Sequence, residues 1–584
     1  MHDLVIRGGK IVDGTGREAF EGDVAVRDGR IAEVGRGVGP ARRTIEADGR
    51  IVTPGFVDIH THYDAQATWD PNLLPSGWHG VTTAVCGNCG VGFAPAPPDR
   101  RQWLIGLMEG VEDIPGTALA EGIRWDWESF PEYLDALERS PLAIDLGTHV
   151  PHGAVRAYVM GDRGARNEPA TADDIARMYR IVREGLEAGA LGFSTSRTLG
   201  HRAKDGEPVP GTFAQEDELF GIGRALGDLG RGVFELAGAG AAGDGTGDGP
   251  DDALTEIDWM RRLAAEIARP VSFAMLQFDS RPDQWRELLA ICERTRREGA
   301  QVVAQFAARP FGILSGHQTV ANPFLNRPAY AEIAELPLPR RVARLRDPEL
   351  RRRILGTERV GQGAAGFGSF LDHPGIFAKL FPLGDPPDYE PGPEKSIAAL
   401  AAREGLPAEE VLYDHMLRDE GRELLLLPFF NYSNGCLDPM REMILSPVTV
   451  VSLGDGGAHC GLICDASLTT FMLTHWVRDR ARGERVPLEL AVRRMTSETA
   501  RLYGLLDRGV IAPGYKADFN VIDMAKLRLR RPEMAYDLPG GARRLLQRAE
   551  GYEATILSGE VVMERGEPTG ATPGRLLRGA QTAP

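Results

Sequence analysis

Lysine is almost absent from this chain, long apolar runs are missing, and cysteine is sparse. Six lysines stand among 584 residues, at positions 10, 204, 379, 395, 516 and 526, against 67 − 6 = 61 arginines. That imbalance reads as genomic composition rather than mechanism. No apolar run approaches the ~20 residues that a membrane-spanning helix needs. The opening Met1-His2-Asp3-Leu4-Val5-Ile6-Arg7 lacks the basic, apolar and small-residue order of a secretory signal, so a cytoplasmic protein is expected. Six cysteines are too few for a disulfide scaffold, and the cytosol would keep them reduced. Positive charge is not in excess either: 67 − 83 gives a formal net charge of −16. This disfavours nucleic acid or an anionic membrane as partner, because phosphate binding needs a basic face. A small-molecule substrate is the expected partner, and a homo-oligomer stays open.

What is present points to two structural textures. The first fifty residues are short β-branched runs at 4–6, 10–12, 22–26 and 30–34. Gly8-Gly9, Asp13-Gly14 and Asp28-Gly29 punctuate them, and Asp-Gly pairs are hairpin signals. The far end repeats this pattern around 517–522, 554–557 and 559–563. The two ends are expected to pair into one small β-sandwich domain, residues 1–53 with 505–584. The middle, 54–504, alternates apolar strands with helical stretches. Strands are expected at 51–59, 142–150, 191–194, 232–236, 271–276, 302–306 and 449–453, and a helix at 172–188. Such alternation implies a parallel sheet, here a TIM-type (β/α)8 barrel, and the length suits it. Residues 237–252, almost all Gly, Ala and Asp, are expected to form a mobile loop. An insertion near the barrel mouth is expected around 307–421.

The chemistry starts at His60-Thr61-His62, which ends the run from Ile51 to Ile59. Residues i and i+2 of a strand face one side, so both imidazoles can reach one point at the strand's C-terminal end. Barrel enzymes place their active sites at that end, and imidazole suits zinc. Asp455-Gly456-Gly457-Ala458-His459 follows the run Val450-Val451-Ser452-Leu453-Gly454. Asp455 can ligate a metal or take a proton from a metal-activated water. A pair of surface histidines and a plain Asp-Gly-Gly turn are the bland alternatives, and the two motifs together outweigh them.

Pro54-Gly55-Phe56-Val57-Asp58-Ile59-His60-Thr61-His62 resembles the strand-one signature of the amidohydrolase superfamily. Gly8-Gly9-Lys10-Ile11-Val12-Asp13-Gly14 and Gly509-Val510-Ile511-Ala512-Pro513-Gly514-Tyr515-Lys516-Ala517-Asp518 resemble its framing β-domain. His79-Gly80-Val81-Thr82-Thr83, Gly87-Asn88-Cys89-Gly90 and Pro151-His152-Gly153-Ala154-Val155-Arg156 resemble the N-acyl-D-amino-acid deacylases (D-aminoacylases). The resemblance implies a metal-dependent hydrolase of an amide-type C–N bond, in an N-acyl amino acid or a cyclic amide, with one or two divalent metals, zinc first. In those deacylases the cysteine matching Cys89 is a zinc ligand, in place of a carboxylated lysine. No lysine of this chain closes a mid-barrel strand. The metal ligands implied are His60, His62, Cys89 and Asp455, and Asp455 is the implied catalytic base.

The departures sit on the fifth and sixth strands, where the family has histidine ligands. This chain offers Glu235 at the first position and only Gln277 near the second. Glu235 could complete a second site, or a single metal could sit on His60, His62 and Asp455, helped by Cys89. His152, Arg197 and His459 are candidates for substrate binding, Arg197 because an arginine can hold a carboxylate through paired hydrogen bonds. The alternatives are hydrolysis of another bond (a lactone, or a deamination) on the same scaffold, and a non-catalytic relative acting as a binding protein.

Overall fold

In the computed structural model, which describes residues 1–240, 253–356 and 375–584, eight parallel strands follow one another around a single sheet. They are β1 Phe56–Asp58, β2 Val81–Cys86, β3 Asp145–Pro151, β4 Gly192–Ser196, β5 Val233–Ala237, β6 Val271–Ala274, β7 Val302–Phe306 and β8 Thr449–Val451. Each pairs in parallel with its neighbour in sequence. A parallel bridge between Thr61 and Gly456 joins the two ends, and His62 N–H donates to Gly456 O at 2.8 Å. The barrel is therefore closed just past the C-terminal ends of β1 and β8, where His60, His62 and Asp455 stand.

Seven of these strands lie where the residue pattern places them. β2 does not figure among the sequence expectations, although all six of its residues are buried. The expected strand at 51–59 is two elements. Ile51–Pro54 belongs to the terminal sheet and Phe56–Asp58 to the barrel. Gly55 is the elbow between them: a Cβ there would lie 2.0 Å from Thr82 Oγ1. The helix Ala172–Ala188 matches its expected range. Thr171 and Asp174 form a capping box at its start, and Met178, Val182 and Leu186 bury its inner face at i, i+4 spacing.

The two chain ends build one nine-stranded sheet. Ile51–Pro54 pairs antiparallel with Phe519–Ile522 and parallel with His2–Ile11. Asp28 and Gly29 both have positive φ, the geometry a two-residue hairpin asks for. Leu4, Ile6, Val24, Val52, Phe519, Val521 and Ile556 share one core from both ends.

The insertion after β7 reaches beyond residue 421. Its strand Phe311–Ser315 pairs antiparallel with Leu425–Phe430. Around that ribbon, Tyr330, Leu345, Ile354, Leu412 and Met416 form a separate core that also takes in Leu462 and Ile463 from the loop after β8. The insertion thus sits against the barrel mouth. The mobile loop expected at 237–252 lies mostly outside the described residues, as does 357–374. Among the described residues, no helix is long and apolar enough to cross a membrane.

Candidate metal centre

His60 and His62 leave β1 as neighbours, their rings 5.4 Å apart and nearly perpendicular. Cys89 lies on the loop after β2 with φ of 55°, a left-handed conformation that non-glycine residues seldom adopt. Gly87 and Gly90 flank it, also at positive φ. A Cβ on Gly90 would strike the backbone of Thr195. The loop is thereby pressed into the barrel mouth and carries its thiol inward. His60, His62 and Cys89 bring donor atoms within 4.8 Å of one another, and all three residues are buried. Cys89 Sγ is 3.3 Å from His60 Nε2. Asp455, at φ 46°, adds Oδ1 at 3.5 Å from His60 Nε2 and 3.7 Å from His62 Nε2. Unusual backbone at Cys89, Asp455 and His459 together fits a functional site, where local strain tends to collect.

These donors suit a divalent metal such as zinc. The other nitrogen of each imidazole faces an acceptor: His60 Nδ1 is 2.9 Å from Gln305 Oε1, and His62 Nδ1 is 3.4 Å from Glu112 Oε1. With the proton on Nδ1, both Nε2 atoms are free to ligate, the arrangement metal-binding histidines use. Burial pushes His60 down to about 4 and His62 to about 3, so both rings are neutral near pH 7. Gln305 is itself fixed, accepting from Ser452 Oγ at 3.1 Å and donating to Ser272 Oγ at 3.0 Å.

Glu235 stands behind His60. Its Oε2 accepts the Cys89 N–H at 3.0 Å, and its Oε1 is 3.6 Å from His60 Nδ1, away from the Nε2 side where Cys89 and Asp455 meet. Burial pushes its carboxyl up to about 8. Gln277 is drawn into the insertion, where Ser433 N–H donates to it and its own amide donates to Pro282 O. β6 ends instead in Ala274, followed by Met275, and neither offers an imidazole, thiolate or carboxylate.

The three substrate candidates part company. His459 is at the centre, its Nε2 3.8 Å from Glu112 Oε2 and 3.9 Å from Asp455 Oδ2, with Phe311 of the insertion against its ring. His152 is fully buried and both its nitrogens are engaged, with Thr195 Oγ1 at 2.8 Å and Glu218 Oε1 at 3.0 Å. Arg197 is closed off by Glu256, which takes its Nε and Nη2 at 2.8 and 3.1 Å, and by Ala214 O at 2.7 Å. His152 and Arg197, the other two substrate candidates, are thus both held by protein partners. Acids on the following helices claim both side chains.

Wider surface cavities lie elsewhere, one of about 740 Å³ against the terminal sheet, lined by Trp78 and several arginines, and one of about 810 Å³ beside Tyr389 and His475. Among the described residues, the only group of three close metal donors is the one at the barrel mouth. A narrow cleft reaches Asp455 between Pro75, Ala458, Asp465 and Leu545.

The profile of the amidohydrolase family matches residues 43–563. The chain belongs to the amidohydrolase family. Full-length relatives lie within it. D-aminoacylase of Alcaligenes xylosoxydans xylosoxydans is 26% identical over 584 residues, covering 100% of this chain and 98% of the relative. N-acyl-D-glutamate deacylase of the same organism is 28% identical, covering 99% and 96%. The crystal structure of a D-aminoacylase superposes over the whole of both chains with a TM-score of 0.64 at 25% identity. An N-acyl-D-glutamate deacylase from Bordetella bronchiseptica, solved with zinc and a phosphonate mimic of the tetrahedral intermediate, shares the fold at a TM-score of 0.63 and 23% identity. The family membership makes this chain a hydrolase of carbon–nitrogen bonds other than peptide bonds.

Proposed function

We propose that this amidohydrolase cleaves the amide bond of an N-acyl amino acid with one divalent metal, zinc first, held by His60, His62 and Cys89. Asp455 stands beside that metal and acts as the base. The observation that carries the reading is the convergence of two imidazoles and a thiol within 4.8 Å, with Asp455 Oδ1 3.5 Å from the nearer ring. His60, His62 and Cys89 would hold a metal whose chemistry would be to make water nucleophilic near neutral pH and to polarise the substrate carbonyl.

The remaining steps belong to the chain. Asp455 receives the proton of the attacking water and returns it to the leaving nitrogen. Gln305 holds the His60 ring in place through Nδ1. The carboxyl of Glu235 accepts the Cys89 N–H and so fixes the direction of the Cys89 thiol. His459, four residues beyond Asp455, is the candidate side chain for contact with the substrate. The full-length likeness to D-aminoacylase and the N-acyl-D-glutamate deacylase supports an N-acyl amino acid as substrate. The test pairs elemental analysis with a panel of N-acetyl-D- and L-amino acids. Near-stoichiometric metal with hydrolysis of at least one member supports the reading. A metal-free protein after reconstitution with zinc, manganese, cobalt or nickel overturns it.

A further inference from the structure

Glu112 is neither one of the proposed ligands nor the base, yet it sits in the centre. It ends the helix Arg101–Glu112, whose next residue, Asp113, turns the chain out at φ 51°. Its side chain is 2% exposed, and its helix buries Leu104 and Met108 on the same stripe at i, i+4 spacing. The stripe is apolar until its last turn, where a carboxyl stands in place of a hydrophobe. Burying such a group is costly unless it is partnered.

Its partners are two histidines of the centre. Oε1 faces His62 Nδ1 at 3.4 Å, and both atoms are buried without a hydrogen-bond partner, so each is the nearest group that could satisfy the other. Oε2 is 3.8 Å from His459 Nε2. The backbone doubles the link. Glu112 O accepts the His459 N–H, Asp113 O accepts the Cys460 N–H, and Asp113 Oδ2 accepts the Gly461 N–H at 2.8 Å. The helix end is therefore stitched to the loop that begins at Asp455. One carboxyl spans a histidine from the β1 end and a histidine from the β8 loop.

We propose that Glu112 is a positioning residue, resting on the metal-hydrolase reading above. It accepts a hydrogen bond from His62 Nδ1–H when the metal is held, leaving Nε2 for the metal, and holds the Asp455–His459 loop near that ring. A carboxylate behind a metal-bound histidine fixes tautomer and orientation, and its loss costs about 10- to 100-fold in metal affinity. The role differs from that of a ligand, because Glu112 meets the Nδ1 side of His62 while Cys89 and Asp455 gather with the Nε2 atoms.

The experiment is chelator competition for zinc with the full chain, comparing wild type, Glu112→Ala, Glu112→Gln and Glu109→Gln. Glu109 is on the same helix and pairs with Lys204 at the surface. Circular dichroism of each metal-free protein checks that it is folded. The expected result is a loss of about 10- to 100-fold in affinity for Glu112→Ala at unchanged stoichiometry. Glu112→Gln should retain most of the affinity, because its amide oxygen still accepts from Nδ1, and Glu109→Gln should behave as wild type. If Glu112→Ala is folded and binds zinc as wild type does, the proposal fails and the hydrolase reading stands. If Glu112→Ala and Glu112→Gln are both folded and neither binds zinc, Glu112 is a ligand and the positioning role is wrong. A wild-type chain that binds no zinc overturns both.

Discussion

Replacing Glu256 with alanine separates a structural arginine from a substrate-binding one. Arg197 and Glu256 are 9% and 6% exposed, with Nε at 2.8 Å from Oε2 and Nη2 at 3.1 Å from Oε1. Removing the carboxylate leaves the guanidinium with Ala214 O on Nη1 and the Trp259 ring 5.8 Å away. Breaking a buried pair from one side costs about 3–5 kcal/mol, because a charge is left in a poorly solvated place. That corresponds to roughly 150- to 5,000-fold in the equilibrium between closed and opened forms of this part of the barrel, at about 1.4 kcal/mol per factor of ten. The assay is urea titration followed by tryptophan fluorescence, to which Trp259 in the same helix as Glu256 contributes. The midpoint should fall sharply while KM for a hydrolysed N-acyl amino acid stays at the wild-type value. The double variant Arg197→Leu with Glu256→Leu should recover most of the loss, since apolar replacement of a buried pair is often neutral. A stable Glu256→Ala protein with a raised KM would show that Arg197 serves the substrate, and the reasoning from its hydrogen bonds would be refuted.

Other outcomes follow from the centre and its surroundings. His60→Ala and His62→Ala should each lose bound metal and hydrolysis together, read by plasma mass spectrometry and amine release; retention of either property counts against the assignment. Cobalt substitution should give a thiolate charge-transfer band in the near ultraviolet that Cys89→Ser removes, and a spectrum unchanged by that substitution would take Cys89 out of the ligand set. Glu218 predicts a pH dependence. Burial alone would raise its carboxyl, but hydrogen bonds from His152 and Arg156 outweigh that and hold it at about 2, below the ordinary 4.5. A depressed carboxylate adds stability that is complete above the unfolded value and is lost as pH falls from about 4.5 towards 2. Acid unfolding should therefore be less steep in Glu218→Gln across that window, and parallel acid transitions would rule this contribution out.

The barrel was legible because its strands are buried on both faces and read as apolar runs between helical stretches. β2 escaped because Thr82 and Thr83 interrupt its apolar character. The strand at 51–59 was read as one because Gly55 is a single residue, and the Thr82 side chain that forces its identity lies on the next strand. The His-x-His pair and Asp455 declared themselves through strand-end position. Glu112 left a fainter signal, an acid where the stripe of Leu104 and Met108 predicts a hydrophobe, and Gln305 left a similar one inside Val-Val-Ala-Gln-Phe. Neither stands near the histidines in sequence, so their pairing needed the folded chain. His152 and Arg197 sit near strand ends as substrate residues do. Their hydrogen-bond partners, Glu218 and Glu256, are helical residues 66 and 59 positions away.

The elbow at Gly55 ties the order of folding to the assembly of the centre. Ile51–Pro54 finds its antiparallel neighbour only in Phe519–Ile522, so the strand that leads into His60 and His62 is braced by residues some 460 positions downstream. Contacts of such separation form late and at a high cost in loop closure. During synthesis the two histidines emerge early, while the strand that leads into them lacks its antiparallel neighbour until residues 519–522 arrive. Metal capture should accordingly be one of the last events in maturation, and a chain truncated before residue 519 should fail to retain metal even though every ligand is present.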